Sequence, residues 1–153
     1  MFSLELKIPP VLLTLIFAAL MWALYRITPG FPIPQLLKNL LPALLGVAAL
    51  AVGSAGVQSF RRAKTTVNPM TPDACSSLVI SGIFRFTRNP MYVALLLFLI
   101  AWGIFLANIY SLALIVIYFV YLNRFQIRPE ERALEAVFGA EYLDYMKRVR
   151  RWF

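Results

Sequence analysis

Three stretches of this chain carry no charged residue: Ile8 to Tyr25, Asn39 to Phe60 and Asn89 to Asn123. Each reaches the length a helix needs to cross a bilayer. Polar residues gather in the connections between them, "YRITPGFPIPQ" after the first stretch and residues 61–88 after the second. No small-residue cleavage site follows the first stretch, so it is expected as a retained helix and not as a removed secretory signal. The second stretch carries Gly46, Ala49, Gly53 and Gly56 on roughly one face. That spacing lets another helix approach closely.

The third stretch is too long for one crossing and short for two. Pro90 to Leu122 would run about 50 Å as a straight helix, against a hydrocarbon core about 30 Å thick. Charge decides between the alternatives. Thirteen of the 15 Lys and Arg fall at Lys7, between Arg61 and Arg88, or from Arg124 to Arg151; only Arg26 and Lys38 lie in the first connection. Basic loops stay on the cytoplasmic side. A single crossing would put Arg85 and Arg88 opposite the basic tail, whereas two short helices turning near "LANIYS" put both on one side. The expected fold is therefore all-α, an integral membrane protein with about four transmembrane helices. Its predicted division is 8–27 and 39–60 as spans, 61–88 as a cytoplasmic loop, 89–122 as a helical hairpin and 128–153 as a cytoplasmic helical tail. Both termini are expected in the cytoplasm.

Composition agrees. The chain has 153 residues, 61% of them apolar, with a mean hydropathy of +0.74, where a soluble domain would be nearer half apolar. A net charge of +8 invites a nucleic-acid reading, but the basic residues follow the membrane topology and suit anionic lipid. Cys75 is the one cysteine and there is no histidine. The chain therefore has no cysteine pair for a disulfide or metal cluster, and it lacks both the commonest metal ligand and the usual neutral-pH acid–base group. No nucleic acid and no metal are expected as partners.

The predicted hairpin brings "RFTRNPMY", Arg85 to Tyr92, beside the tail that begins "RFQIRPEERALEAVFG". Both have plain structural readings. Asn89 suits a helix N-cap and Pro90 the first helical position. Arg85, Arg88 and Tyr92 suit interfacial anchoring. Pro129 fits a first turn, with Glu130 and Glu131 against the positive end of the helix dipole. Leu134, Val137 and Phe138 form an apolar stripe, and Gly139 fits a C-terminal cap. "EYLDYMKRVRRWF" reads as an amphipathic segment lying on the bilayer with Trp152 and Phe153 inserted. The adjacent acids fit this account least, because an anionic membrane surface repels them. They point to a cationic ligand or to arginine partners.

"TTVNP" (65–69), "LVISGIFRFTRNPMY" (78–92), "EERALEAVFGAEYLDY" (130–145) and "VRRW" (149–152) together resemble the isoprenylcysteine carboxyl methyltransferase-like proteins of bacteria, relatives of the phospholipid N-methyltransferases. The resemblance covers roughly residues 56 to 153. It implies a membrane methyltransferase of the bacterial inner membrane that uses S-adenosylmethionine and releases S-adenosylhomocysteine. By position it implies that Asn89, Pro90, Met91 and Tyr92 contact the cofactor. Leu78, Val79, Gly82 and Phe84 would line its adenosine side, and Glu130 would face its amino-acid or sulfonium end. Enzymes acting on isoprenylcysteine usually have His in place of Asn89 and Arg in place of Gln126; these departures bear on the acceptor more than on the cofactor.

Elementary chemistry runs parallel to that implication. Carboxylates suit a sulfonium cation, and Arg85 or Arg88 suits the cofactor's carboxylate. An amine acceptor must lose a proton before it attacks, which gives Glu130 or Glu131 work as a base. The catalytic candidates are Glu130, Glu131 and Arg88. The acceptor is expected to be a membrane lipid or a hydrophobic small molecule bearing an amine, thiol or carboxylate. The competing readings are a nicotinamide-dependent membrane reductase of the sterol-reductase type and a non-catalytic membrane scaffold.

Overall fold

The computed structural model describes residues 5–63 and 77–152. "TTVNP", Cys75 and Phe153 lie outside the described residues. Among those described, the secondary structure is entirely helical: α1 (Pro10–Ile27), α2 (Gln35–Ala63), a 3₁₀ turn (Gly82–Arg85), α3 (Pro90–Leu106), α4 (Ile109–Tyr121), a π-helical segment (Leu122–Ile127), α5 (Arg128–Phe138) and α6 (Ala140–Arg148). Three helical runs, Pro10–Ile27, Gln35–Ala63 and Ile109–Phe138, are long and apolar enough to cross a membrane, and Pro90–Leu106 is a shorter apolar helix. The charged residues of the last run begin at Arg124 and crowd α5, so its hydrocarbon-compatible part is α4.

α3 occupies the centre, against α1, α2 and α4. Leu13, Phe17 and Met21 of α1 meet Leu99 and Leu106 of α3 and Tyr118 of α4 in one core. Polar side chains fasten this apolar bundle. The Thr14 and Tyr118 hydroxyls lie 2.7 Å apart, the Ser111 hydroxyl donates to the Met21 carbonyl at 2.7 Å, and the Trp102 indole N–H donates to the Ala18 carbonyl at 3.1 Å. Interhelical bonds of this kind contribute roughly 0.6–2 kcal/mol each within a bilayer. α2 leans on α3 through its small residues. A methyl group added at Gly53 would come within 3.3 Å of the Ala94 Cβ, and one at Gly56 within 3.3 Å of Met91. Gly46, on the same predicted stripe, has nothing within 4 Å.

The chain reverses at Ala107–Asn108, inside the predicted "LANIYS". Ala107 closes α3 in the left-handed region, with φ 49°. Asn108 then performs two tasks. Its carbonyl oxygen accepts from the Ser111 N–H at 2.9 Å and caps α4, while its amide donates to the Thr28 hydroxyl at 2.8 Å and the Pro29 carbonyl at 3.1 Å. The Phe31 N–H donates to the Ala107 carbonyl at 2.9 Å, so the α1–α2 connection and the hairpin tip share one end of the bundle. At the other end the Gln126 amide donates to the Ile8 carbonyl at 2.7 Å, and Arg132 pairs with Glu5 at 2.8 Å. The N-terminal segment therefore sits beside the α4–α5 junction.

Two measurements check this end of the molecule. Asn108→Ala removes a cap and leaves polar groups of the connection without partners, and should lower stability in detergent by about 1–3 kcal/mol. Asn108 is fully buried whereas Tyr110 is half exposed, so the labelling site of choice is Tyr110. With Cys75 replaced by Ser, Tyr110→Cys should react with a membrane-impermeant thiol reagent only from the side opposite the α5–α6 tail. Reaction from the tail side would refute the hairpin.

Candidate functional site

The site is assembled from the two ends of the hairpin. Ahead of α3 the chain makes a tight turn at Gly82, whose φ is +63° and where a methyl group would come within 2.7 Å of the Ser59 hydroxyl. Only glycine fits both the dihedral and the approach to α2. The turn buries Phe84, whose ring meets Phe60 edge-on at 5.2 Å and whose carbonyl accepts from the Tyr145 hydroxyl at 2.7 Å. Val79, Phe84, Tyr142 and Tyr145 form a second core, with Leu78, Leu134 and Phe138 packed on it. The inner faces of α5 and α6 are thus held against the segment before α3.

Arg88 and Glu131 are the centre of that contact. The guanidinium donates to the Glu131 carboxylate at 2.7 Å and, through its other terminal nitrogen, to the carbonyls of Val149 at 2.9 Å and Met146 at 3.1 Å. Arg151 grips the same carboxylate through both Nε, at 3.1 Å, and a terminal nitrogen. The Arg88 and Glu131 side chains are only 11% and 12% exposed. Around this triad the Arg88 N–H donates to the Arg150 carbonyl at 3.0 Å, while the Asn89 amide and the Thr87 hydroxyl both donate to the Arg151 carbonyl. Asn89 therefore stands at the N-cap of α3 without capping it; its side chain holds the tail instead.

Glu130 has a different environment. Its carboxylate accepts from the Tyr92 hydroxyl at 2.9 Å, and among the described residues it makes no ion pair. Burial, reinforced by the neighbouring Glu131 charge and opposed by the Tyr92 bond, pushes its pKa up to about 7. Between the ordinary carboxylate range and about 7 the folded chain holds a proton that the unfolded chain has released. Its contribution to stability therefore falls as pH rises across that window and is level above it.

Glu130 and Glu131 open into a narrow cleft, about 50 Å³ in volume, between the α3 entry and α5–α6, walled by Phe60, Leu78, Val79, Phe84, Tyr142 and Tyr145 and edged by Arg88 and Asn89. Of the residues predicted from the sequence, Leu78, Val79, Phe84, Arg88, Asn89, Glu130 and Glu131 line it. Tyr92 reaches it through Glu130. Gly82, Pro90 and Met91 lie behind the wall, packed on Ser59 and Gly56 of α2. Arg85 faces a separate depression with Arg148. The sequence reading omitted Phe60, Ser77, Leu134, Tyr142, Tyr145 and Arg151. The signal for the tyrosines is their i, i+3 spacing on an amphipathic helix, a pattern that suits a bilayer surface equally well. Trp152 packs on Phe119 at 4.9 Å and donates to Asn123.

With this geometry in hand, residues 38–141 match the family model described as phospholipid methyltransferase. That is about two-thirds of the chain, and the protein belongs to this family. A protein of Haemophilus influenzae called "Uncharacterized protein" is 45% identical over 62 residues, covering 40% of this chain and 98% of that relative. No solved structure matches significantly.

Removing the shared carboxylate should loosen the tail. Glu131→Gln leaves two guanidinium groups without a counter-charge, at a cost of up to about 3 kcal/mol; Arg151 is a third exposed, which keeps the loss to the low end of the range for buried pairs. Limited proteolysis in detergent should cut residues 140–152 of Glu131→Gln much faster than those of the parent. Equal resistance would mean that the triad does not hold the tail.

Proposed function

We propose that the protein transfers a methyl group from S-adenosylmethionine to a membrane-borne acceptor, in the cleft between the α3 entry and α5–α6. The observation that carries the reading is Glu130: a carboxylate without a cationic partner among the described residues, set in a cleft with aromatic walls. The electrostatics suit a cationic cofactor, since an uncompensated carboxylate and the faces of tyrosine and phenylalanine all attract positive charge. Glu131 offsets one of the two positive charges of Arg88 and Arg151 at the edge of the cleft. Family membership supports methyl transfer as the reaction class.

The cofactor, when bound, supplies an activated methyl group on a sulfonium centre. The chain's own part is largely positional. Phe84, Val79 and Leu78 give an apolar wall that excludes water. Asn89 and Arg88 fix the edge of the cleft to the tail. Glu130, with a pKa near neutrality, accepts the proton that an amine or thiol acceptor must lose. The acceptor arrives from the lipid, because the cleft lies beside the start of α3, an apolar helix. On this reading the cleft and both termini face the cytoplasm.

Purified protein should bind S-adenosylmethionine in calorimetry, and NADPH should not displace it. Affinity should rise between about pH 6 and 8 as Glu130 ionises against the permanent sulfonium charge, then level off. Glu130→Gln should bind more weakly and show no such rise. Nicotinamide binding in place of either sulfur compound would favour a reductase, and binding of neither would leave a scaffold.

A further inference from the structure

Arg85 stands three residues before Arg88 yet has no part in the ion triad. Its side chain is exposed, and no partner for its guanidinium occurs among the described residues. It lines an open depression of about 220 Å³ with Ile80, Tyr145, Arg148 and Val149. Arg148 is also exposed. Its Nε donates to the Asp144 carbonyl at 3.2 Å, which leaves its terminal nitrogens for other partners. The nearby acid, Asp144, is engaged by Lys147 at 2.8 Å. Two guanidinium groups from separate elements thus converge on an open hollow with no carboxylate in its lining.

The surroundings of this hollow are lipid-like. Phe86, next to Arg85 in the chain, is 74% exposed, and Ile80 is 38% exposed. Four residues past Phe86 the chain enters α3, so the hollow lies at the level where the bilayer surface begins. An exposed aromatic ring beside unpaired arginines is the pattern of an interfacial anchor over anionic headgroups. Guanidinium groups bind phosphate through two parallel N–H bonds, and two of them surround a phosphodiester better than a single ammonium does.

We propose that Arg85 and Arg148 form a binding site for the phosphate of an anionic phospholipid, separate from the methyl-transfer cleft. Tyr145 is the partition between the two, since its ring lines both hollows while its hydroxyl holds the Phe84 carbonyl. A lipid bound across Arg85 and Arg148 ties the start of α3 to the end of α6. It thereby presses the tail onto the bilayer beside the cleft. The inference needs the bilayer but not the methyl-transfer chemistry, and its readout contains no cofactor.

The test is thermal unfolding of the full-length protein in a neutral detergent, with dioleoylphosphatidylglycerol, dioleoylphosphatidylcholine or inorganic phosphate added. Phosphatidylglycerol at a hundredfold excess over its Kd should raise Tm by about 8 °C, and phosphatidylcholine and inorganic phosphate should not. Both arginines are exposed, so Arg85→Gln/Arg148→Gln should fold, and it should lose the shift. Arg85→Lys/Arg148→Lys should keep part of it. Arg124→Gln, which removes an exposed charge elsewhere at the same end of the bundle, should keep all of it. An equal shift in the double Gln variant, or equal loss in Arg124→Gln, would overturn the site in favour of diffuse charge. A full shift with inorganic phosphate would overturn the lipid as its occupant.

Discussion

Glu131 is the residue on which the rest of the site depends. Its carboxylate is shared by Arg88 from the entry to α3 and Arg151 from the end of the tail, which joins three segments that are far apart in sequence. Each charge in the triad would be costly to bury alone, so none of the segments can leave without stranding the others. The backbone carbonyls of Met146, Val149, Arg150 and Arg151 complete the contact. The cleft exists because this latch closes one side of it.

The latch in turn depends on the hairpin. α3 must start and α4 must finish at the same end of the bundle before Arg88 can meet a residue 43 positions later. Asn108 enforces this from the far end, where it caps α4 and clasps Thr28 and Pro29 at once. A buried asparagine that satisfies both helix and connection allows little freedom in where the chain turns. The π-helical segment after α4 then re-aims the chain into α5, and the buried Gln126 secures it to the Ile8 carbonyl.

Much of this was legible in the sequence for simple reasons. Hydropathy and the placement of Lys and Arg pointed to the helices and to the reversal, because lipid imposes length and charge sidedness more strictly than water does. Pro129 in the first turn of α5 and Gly139 at its end follow local backbone chemistry, and Gly139 takes a positive φ of 52°. The division of labour among the charges was not legible. Nothing in "RFTRNPMY" says that Arg88 turns inward and Arg85 outward, since both fit an interface and the choice is made by the tail that packs there. Asn89 has the composition of a cap but spends its amide on the Arg151 carbonyl. Tyr142 and Tyr145 sit in a segment that reads as amphipathic, and sequence periodicity gives a face but not its neighbour. The neighbour here is Phe84, not lipid.

The paired acids show why position in a helix matters more than proximity in sequence. Consecutive residues on a helix point about 100° apart, so Glu130 and Glu131, though both reach the cleft, take different partners. Glu131 turns toward two guanidinium groups; Glu130 turns toward the Tyr92 hydroxyl and the cleft. One carboxylate is thereby paired with two guanidinium groups, while desolvation raises the pKa of the other to about 7. The triad does more than fasten the tail. By drawing both arginines onto Glu131 it leaves Glu130 without a counter-ion among the described residues.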